Sequence, residues 1–311
     1  MDVPTAAAAL KAGLLVGMPT ETVYGLAADA LDAQAVLRVF AAKGRPSFDP
    51  LIVHVADPAQ AWEVAEPSPR ARRLAERFWP GPLTLVLPRR ACIPDVVTSG
   101  LDTVGVRCPD HPLARALIRA TGRPLAAPSA NRFGRISPTT AAHVVEQLGA
   151  SIAGVLDGGP CRVGVESTVL LPDPLPIILR PGGLTREALA EFLGEAVAVA
   201  GREQRADHLP AQAPGMLASH YAPRAPLTLR EGAWPTGSEV GRLAFRDPPP
   251  PGGPSEVLSP TGDLAEAATN LFALLRRLDA SGVARIVAET VPAEGLGLAI
   301  NDRLLRAAGR G

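Results

Sequence analysis

The stretch AAKGRPSFDPLIVHV, residues 41–55, joins the end of a helical pattern to a short apolar run. The periodicity predicts a helix over 32–42, and the run LIVHV is typical of a buried strand. The same alternation continues along the chain, with strands predicted over 83–87 and 103–107 and helical patterns before and after this pair. Short apolar strands separated by helices predict an α/β protein whose sheet is covered on both faces.

The remaining elements follow the same pattern. Further helices are predicted over 5–13, 68–78, 111–122, 138–148, 185–193, 263–281 and 297–308. Further strands are predicted over 14–18 and 124–128 and in the runs GVLDGG, ESTVLL, PIILR, LTLR, GRLAF and ARIVAE. Hairpin-like spacing between 155 and 180 indicates that the sheet is mixed.

Length and charge limit the class of protein. The 311 residues include 31 basic and 31 acidic side chains, and 47% are hydrophobic. This composition indicates a well-buried globular enzyme-like chain, with two domains favoured over one. Because the formal net charge is zero, the protein as a whole is not attracted to nucleic acid or to an anionic membrane. Any anion-binding site must therefore come from a local group of basic residues. The sequence has no signal-peptide pattern and no apolar run long enough to span a membrane. Its three cysteines match no metal-binding or redox motif. We therefore expect a cytoplasmic protein without membrane contact.

The composition and periodicity of the sequence change near residue 200. The segment 200–224 lacks a helical or strand period and is rich in Pro, Ala and polar residues, as is typical of a linker. We therefore expect a domain over 1–199, a linker over 200–224, and a small α/β domain over 225–311.

Lys43 is one of only two lysines, and it lies two residues before Arg45. Two positive charges on a tight turn, with Gly44 between them and Pro46 after, suit a phosphate or polyphosphate. The alternative is a solvated charge that stabilises the C-terminal end of a helix.

The common nucleotide, hydrolase and metal signatures are absent from the sequence. What remains are loops dense in polar groups, where open α/β sheets bind ligands. In MPTETVYGLAAD, residues 18–29, hydroxyl groups and amides either hold a small polar substrate or cap the backbone, with Tyr24 as a core aromatic. His54 in its apolar strand is either a ligand-binding or a hydrogen-bonded core residue.

Four more positions add to this set. Arg107 closes an apolar strand and needs a protein or ligand carboxylate. The run APSANRFGRISPT, residues 127–139, offers small residues and side-chain hydrogen bonds, and Ser137 is expected to begin a helix that suits an anion. Ser167 and Arg180 lie at further strand ends.

These runs carry a resemblance to a known family. The sequence contains PTETVYGLAADA, KGRPSFDPLIVHV, FWPGPLTLVLP, VGVRCPDHP, APSANRFGRISPT, GVESTVL and LRPGG in that order. Together they resemble the YrdC-domain family of threonylcarbamoyl-AMP synthases. PGMLASHYAPRAPL and GLGLAINDRLLRAA resemble the long form of that family, with its linker and C-terminal domain. The resemblance implies a YrdC-like twisted, mixed open sheet followed by a smaller Rossmann-like domain.

The resemblance also implies an activity. Members convert L-threonine, bicarbonate and ATP into threonylcarbamoyl-AMP and pyrophosphate, with magnesium. A partner transferase then uses the product to modify the adenosine beside the tRNA anticodon. A weak or transient contact with tRNA is compatible with this role.

Site residues are implied position by position. The L-threonine positions are Thr22, His54, Arg107, Ala127 and Ser167. The ATP positions are Lys43, Arg45, Asp49, Thr103, Ser129, Asn131, Ser137, Arg180 and Tyr221, of which Lys43 and Arg45 are expected to act in catalysis. The family commonly has Asn at the position of Asp49, so we expect this acid to meet ribose, adenine or magnesium. We expect the segment 200–224 to close over the pocket as a lid.

Two other classes of function remain open at this stage. An RNA-binding module would also use a concave basic surface, but the neutral charge and scattered cations disfavour it. A carbamoyltransferase maturation domain embeds the same fold, but its additional zinc-finger and acylphosphatase segments are missing from this sequence.

Overall fold

The computed structural model describes residues 1–46, 49–200 and 220–309, and these residues form two sheets flanked by helices. The strands of the larger sheet are β1 (Val16–Met18), β2 (Gly25–Asp29), β3 (Ile52–His54), β4 (Leu83–Pro88), β5 (Thr103–Arg107), β6 (Leu125–Ala126), β7 (Gly154–Val155), β8 (Thr168–Leu171), β9 (Ile177–Arg180) and β10 (Ala198–Val199). Their order across the sheet is β10-β9-β8-β4-β5-β3-β6-β2-β1-β7. Parallel pairs such as β3–β5 adjoin antiparallel pairs such as β4–β5, so the predicted mixed sheet is confirmed.

Helices accompany the strands along this part of the chain. They are α1 (Val3–Lys11), α2 (Ala33–Lys43), α3 (Pro58–Val64), α4 (Pro69–Phe78), α5 (Asp95–Thr98), α6 (Pro112–Thr121), α7 (Ala141–Leu148) and α8 (Arg186–Leu193). Six of them, all except α1 and α6, contribute buried residues to a large core that includes Leu26, Val53 and Val106, all fully buried. Helices α1 and α6 form a second cluster with Val16 and Leu125.

Helix α2 delivers Lys43 to its position. Asp32 caps the helix, because its carboxylate accepts hydrogen bonds from the backbone N–H groups of Gln34 and Ala35. Gly44 ends the helix in the left-handed region, at φ 62°, where glycine has no steric penalty. Lys43 is therefore the last helical residue, and it is buried instead of solvated.

A second, smaller sheet follows. Its strands are β11 (Leu227–Leu229), β12 (Val240–Ala244), β13 (Ser255–Val257) and β14 (Arg285–Ala288), in the order β11-β14-β12-β13. Every pair in it is parallel, and its helices are α9 (Leu264–Ala280) and α10 (Gly297–Ala307). A parallel sheet with α9 between β13 and β14, followed by α10, is the predicted small Rossmann-like unit.

The two units share an apolar core. Val23 and Val165 from the first unit lie in one buried cluster with Leu271 and Phe272 of α9. Close approach is possible because Gly164 has no side chain: a Cβ there would lie 2.4 Å from the carbonyl oxygen of Ala268. The second unit is therefore packed directly against the loop that leads into β8.

Several predicted boundaries differ from the structure. The polar stretch 18–29 contains strand β2, which sequence reasoning missed because its small residues are buried on both faces. Strands β10 and β13 and helices α3 and α5 were also missed. The helix predicted over 138–148 begins at Ala141, with Thr140 as its cap, so Ser137 does not begin a helix. Of the predicted linker, residues 201–219 lie outside the described residues, and residues 220–224 precede β11.

Candidate active site

One cavity lies against a face of the larger sheet, and most of the predicted site residues line it. They are Thr22, Arg45, His54, Arg107, Ala127, Ser129, Ser167, Arg180 and Tyr221. Ile52 and His54 both line the cavity, as expected for residues two apart on one face of a strand. The other predicted residues, Thr103 apart, lie directly behind this lining.

Arg107 is fixed by protein partners on one wall. It lies beside His54, because the parallel register of β3 and β5 pairs the two residues. Its Nη1 donates to Oγ1 of Thr22 at 2.9 Å, and its Nη2 lies 2.6 Å from Oε1 of Glu21. Its Nε donates to the carbonyl oxygen of Gly81 at 3.2 Å. Glu21 is thus a protein carboxylate of the kind that Arg107 requires, a role that sequence reasoning missed.

His54 is an uncharged wall of the cavity. Its Nδ1 lies 3.3 Å from the carbonyl oxygen of Ile52, two residues earlier in β3. Burial lowers the pKa of His54 to about 3, and the neighbouring Arg107 charge adds to this effect. The imidazole is therefore neutral near pH 7, and it provides a hydrogen-bonding ring rather than a charge.

Lys43 reaches the loop between β6 and α7. Its Nζ donates to the carbonyl oxygens of Ser129 and Asn131, both at 2.5 Å. The Asn131 side chain donates to the carbonyl oxygens of Arg132 and Arg135, which fixes the turn of this loop. Burial lowers the pKa of Lys43 well below its ordinary value, and the Arg45 charge lowers it further. An anion near Lys43 would oppose both effects.

Arg45 pairs with Asp49. The guanidinium lies 2.8 Å from the Asp49 carboxylate, and it also donates to the carbonyl oxygens of Asp49 and Pro50. Both side chains are buried. Asp49 therefore orients Arg45, which explains how an acid is accommodated beside the cavity.

Ser167 and Arg180 form another part of the lining. Nη2 of Arg180 donates to the carbonyl oxygen of Ser167 at 2.9 Å and contacts its Oγ at 3.3 Å. Thr84 of β4 shares a hydrogen bond of 2.8 Å with the same hydroxyl group. Gly182 permits this packing, since a Cβ there would lie 2.3 Å from the backbone of Glu166 and Ser167.

A buried ion pair connects this wall to the second unit. Glu166 lines the cavity, accepts a 2.5 Å hydrogen bond from Oγ of Ser137, and lies 2.9 Å from Nε of Arg303 in α10. Glu166 and Arg303 were not predicted as site residues. Both occur in the quoted runs GVESTVL and GLGLAINDRLLRAA, which was the available signal.

Tyr221 covers the cavity from the segment before β11. It is a non-glycine residue with positive φ, at 66°, and its ring stacks on Phe272 of α9 at 5.7 Å between centroids. His220 also lines the cavity, and its ring meets Tyr221 edge-on at 4.2 Å. With these two side chains in place the cavity has a volume of about 40 Å³. That space holds a few water molecules, so a larger ligand requires some of the lining side chains to move.

Two predicted hydroxyl residues lie away from the lining. Thr103 begins β5 and lies on the same face as Arg107, about 13 Å along the strand at ordinary strand rise. Its proposed nucleotide contact stays a prediction. Ser137 lies behind Glu166, so it can act on a ligand in the cavity through that carboxylate.

No cluster of three or more metal-binding side chains is found in residues 1–46, 49–200 and 220–309. The carboxylates nearest the cavity, Glu21, Asp49 and Glu166, each face an arginine. The donor set therefore does not fit a resident magnesium ion held by the protein. Within the same described residues, no helix has the length and hydrophobicity needed to cross a membrane.

The fold and the cavity define an α/β protein with an arginine-lined pocket, against which a second α/β unit packs. Residues 8–182 match a family model described as "Telomere recombination" (Sua5, YciO and YrdC), and residues 184–309 match the "Threonylcarbamoyl-AMP synthase, C-terminal domain". Threonylcarbamoyl-AMP synthase from Bacillus subtilis is 44% identical, over 99% of this chain and 93% of the relative. The enzyme of that name from Pyrococcus abyssi is 45% identical, over 98% and 93%.

A solved structure shows the same architecture. The crystal structure of P. abyssi Sua5 complexed with L-threonine matches with a TM-score of 0.91 and 43% identity, over 99% of this chain and 94% of that one. The chain therefore belongs to the threonylcarbamoyl-AMP synthase family, in its two-domain form.

Proposed function

We propose that the protein is an L-threonylcarbamoyl-AMP synthase, a nucleotidyltransferase. The threonine amine and bicarbonate form a carbamate with loss of water. A carbamate oxygen then attacks the α-phosphorus of ATP, the bond between the α-phosphorus and the bridging oxygen breaks, and pyrophosphate leaves. The observation that carries the proposal is one cavity lined by Arg107 and His54 together with Arg45 and Arg180.

The threonine half of the site is assigned to the Arg107 wall. A guanidinium held by Thr22 and Glu21 is oriented before the ligand arrives, so little ordering is required on binding. The threonine carboxylate is the ligand group that suits this cation. Neutral His54 and the hydroxyl of Ser167 offer hydrogen bonds, and the small side chain of Ala127 leaves room for the amino acid.

The nucleotide half is assigned to the loops around Lys43 and Arg180. Five buried basic side chains lie at or near the cavity: Lys43, Arg45, Arg107, Arg180 and Arg303. Three buried carboxylates, those of Glu21, Asp49 and Glu166, form ion pairs within this group. With Lys43 protonated, these eight side chains have an excess of two positive charges, which suits a triphosphate. We assign ATP contacts to Ser129, Asn131 and Tyr221 as well.

The chemistry requires charge stabilisation and exclusion of water more than a protein nucleophile. Lys43 and Arg45 are placed to stabilise charge as it moves onto pyrophosphate. The buried thiols are not nucleophiles near neutral pH, because burial raises the pKa of Cys108 to about 11 and that of Cys161 to about 12. Magnesium is assigned to the phosphates of ATP, since Mg²⁺ is commonly held by substrate phosphates and few protein groups.

The cover over the cavity has a role in this scheme. Carbamates hydrolyse readily, so a site that excludes water protects the intermediate. Tyr221 and His220 line the cavity, and we assign the segment 200–224 as the lid that admits ATP and closes over it. The product then passes to a tRNA threonylcarbamoyl transferase, which together with ATP use supports a cytoplasmic location.

Pyrophosphate release tests this function. The purified protein with ATP and magnesium should release pyrophosphate only when both threonine and bicarbonate are present. Release that is independent of threonine indicates an ATP hydrolase and refutes the proposal. No release in any mixture, together with tight binding of RNA, favours a binding module instead.

A further inference from the structure

The second unit sends one arginine into the wall of the cavity. Arg303 of α10 has no exposed side-chain surface. Its Nε lies 2.9 Å from Oε2 of Glu166, and its Nη1 donates to the carbonyl oxygen of Pro181 at 2.8 Å. Both partners belong to the first unit, and Pro181 follows Arg180 directly in the chain. The guanidinium therefore joins the loop that carries Glu166 to the chain at the end of β9, next to Arg180.

Glu166 transmits this contact to the cavity. Its second oxygen accepts the hydrogen bond from Ser137, so one carboxylate is held by a cation on one side and a hydroxyl group on the other. Ser137 belongs to the run 127–139, which also includes the Lys43 partners Ser129 and Asn131. Displacement of the carboxylate would thus disturb the loop that supports the phosphate-binding cations.

The same guanidinium supports the cover. The Arg303 Cζ lies 5.1 Å from the centre of the Tyr221 ring, within the range of a cation–π contact. Phe272 stacks on the same ring, so Tyr221 is packed among side chains of the second unit. Arg303 itself is oriented by Asp302, which accepts from its Nη1 at 2.8 Å.

Charge explains why the arginine is needed. Glu166 is a buried carboxylate on a wall that we assign to phosphates, and an unpaired carboxylate there would repel them. Arg303 neutralises it, with Arg180 as the second neighbouring cation. Arg303 faces Glu166 from α10, Arg180 and Ser137 face it from the first unit, and Tyr221 lies near enough to interact with it.

We propose that Arg303 is a positioning residue of the nucleotide half of the site: it holds Glu166, and through it Ser137 and the 127–139 loop, in the arrangement that binds ATP. This inference rests on the proposed function. It gives the second unit a defined part in substrate binding, because the first unit does not contain this cation.

Direct binding tests the assignment. Calorimetry with a non-hydrolysable ATP analogue and, separately, with L-threonine should be run on Arg303→Met, Arg303→Lys and Glu166→Gln/Arg303→Met. We expect Arg303→Met to weaken binding of the analogue about 100-fold, since it leaves a buried carboxylate unpaired, and to leave threonine affinity within about threefold. Arg303→Lys retains the charge but lacks the planar guanidinium that donates in several directions at once. We therefore expect this variant to bind the ATP analogue about tenfold more weakly than the wild type. Glu166→Gln/Arg303→Met should bind the analogue at least tenfold more tightly than Arg303→Met alone.

A matched control separates positioning from stability. Arg242 is another buried arginine of the second unit, and it donates to the carbonyl oxygens of Pro250 and Gly253. Arg242→Met should lower the melting temperature without a selective loss of ATP affinity. In Arg303→Met, analogue affinity should improve more steeply with falling pH than in the wild type, because Glu166 without its main cation becomes protonated; Arg242→Met should follow the pH dependence of the wild type.

The outcomes are distinct. Equal effects of Arg303→Met and Arg242→Met on analogue binding, or no recovery with Glu166→Gln, refute the assignment. If Arg303→Met does not fold, Arg303→Lys against the wild type decides: undiminished analogue affinity in the lysine variant refutes the assignment. Failure of the wild type to bind the analogue refutes the proposed function itself, whereas normal wild-type binding with an unaffected Arg303 variant refutes only this inference.

Discussion

Replacement of Arg107 should selectively damage threonine use. The side chain is buried, lies 2.6 Å from the Glu21 carboxylate and donates to Thr22 at 2.9 Å. Arg107→Met alone leaves Glu21 buried without its cation, which costs about 3–5 kcal/mol of stability. The informative comparison is therefore Glu21→Gln/Arg107→Met against Glu21→Gln, because both lack the carboxylate charge.

The expected magnitude follows from the assigned contact. A charge-assisted hydrogen bond contributes about 1.5–3 kcal/mol, and every 1.4 kcal/mol is about tenfold in affinity. Threonine should therefore bind about 10- to 100-fold more weakly to the double variant than to Glu21→Gln, as measured by calorimetry. Binding of an ATP analogue to the same two proteins should differ by less than about threefold. Unchanged threonine affinity combined with a loss of ATP affinity would refute the assignment of this wall to threonine.

Three further predictions follow from the described contacts. Lys43→Ala should raise the KM for ATP about tenfold or more while threonine binding is retained; the opposite pattern in steady-state kinetics would contradict the assignment. ATP binding should take up a proton, because burial lowers the pKa of Lys43 in the free protein and the phosphates raise it again. ATP affinity should accordingly fall as pH rises between the free and bound pKa values, and calorimetry in two buffers of different ionisation enthalpy measures the uptake. Gly164→Ala should lower the melting temperature more than Gly122→Ala: both glycines have positive φ, at 80° and 73°, but only the first approaches another backbone, that of Ala268. Equal decreases in melting temperature for the two variants would show that backbone strain at positive φ alone accounts for the loss of stability.

Local signals in the sequence predict much of the fold. The cap at Asp32 and the glycine at 44 bound α2 to within one residue of the predicted helix. The apolar runs that end in His54 and Arg107 are strands of the sheet, as predicted. Strand β2 escaped prediction because its sequence, GLAAD, lacks both alternation and β-branched residues.

The partners of the site residues could not be predicted in the same way. Glu21 meets Arg107 from 86 positions away, and Arg303 meets Glu166 across 137 positions. Such pairs depend on how strands and units pack, and no periodicity in the chain encodes them. Ser137 shows the converse: a Ser-Pro sequence is a good local cap signal, but its hydroxyl group donates to Glu166 and the helix begins later.

The product of the reaction tests the central claim most directly. The protein should be incubated with ATP, magnesium, L-threonine and ¹³C-labelled bicarbonate, and the nucleotides analysed by mass spectrometry. The account predicts a threonylcarbamoyl-AMP species that carries one labelled carbon and appears together with an equal amount of pyrophosphate. Formation of ADP and phosphate, or of AMP and pyrophosphate with no labelled adduct at any time point, would contradict it.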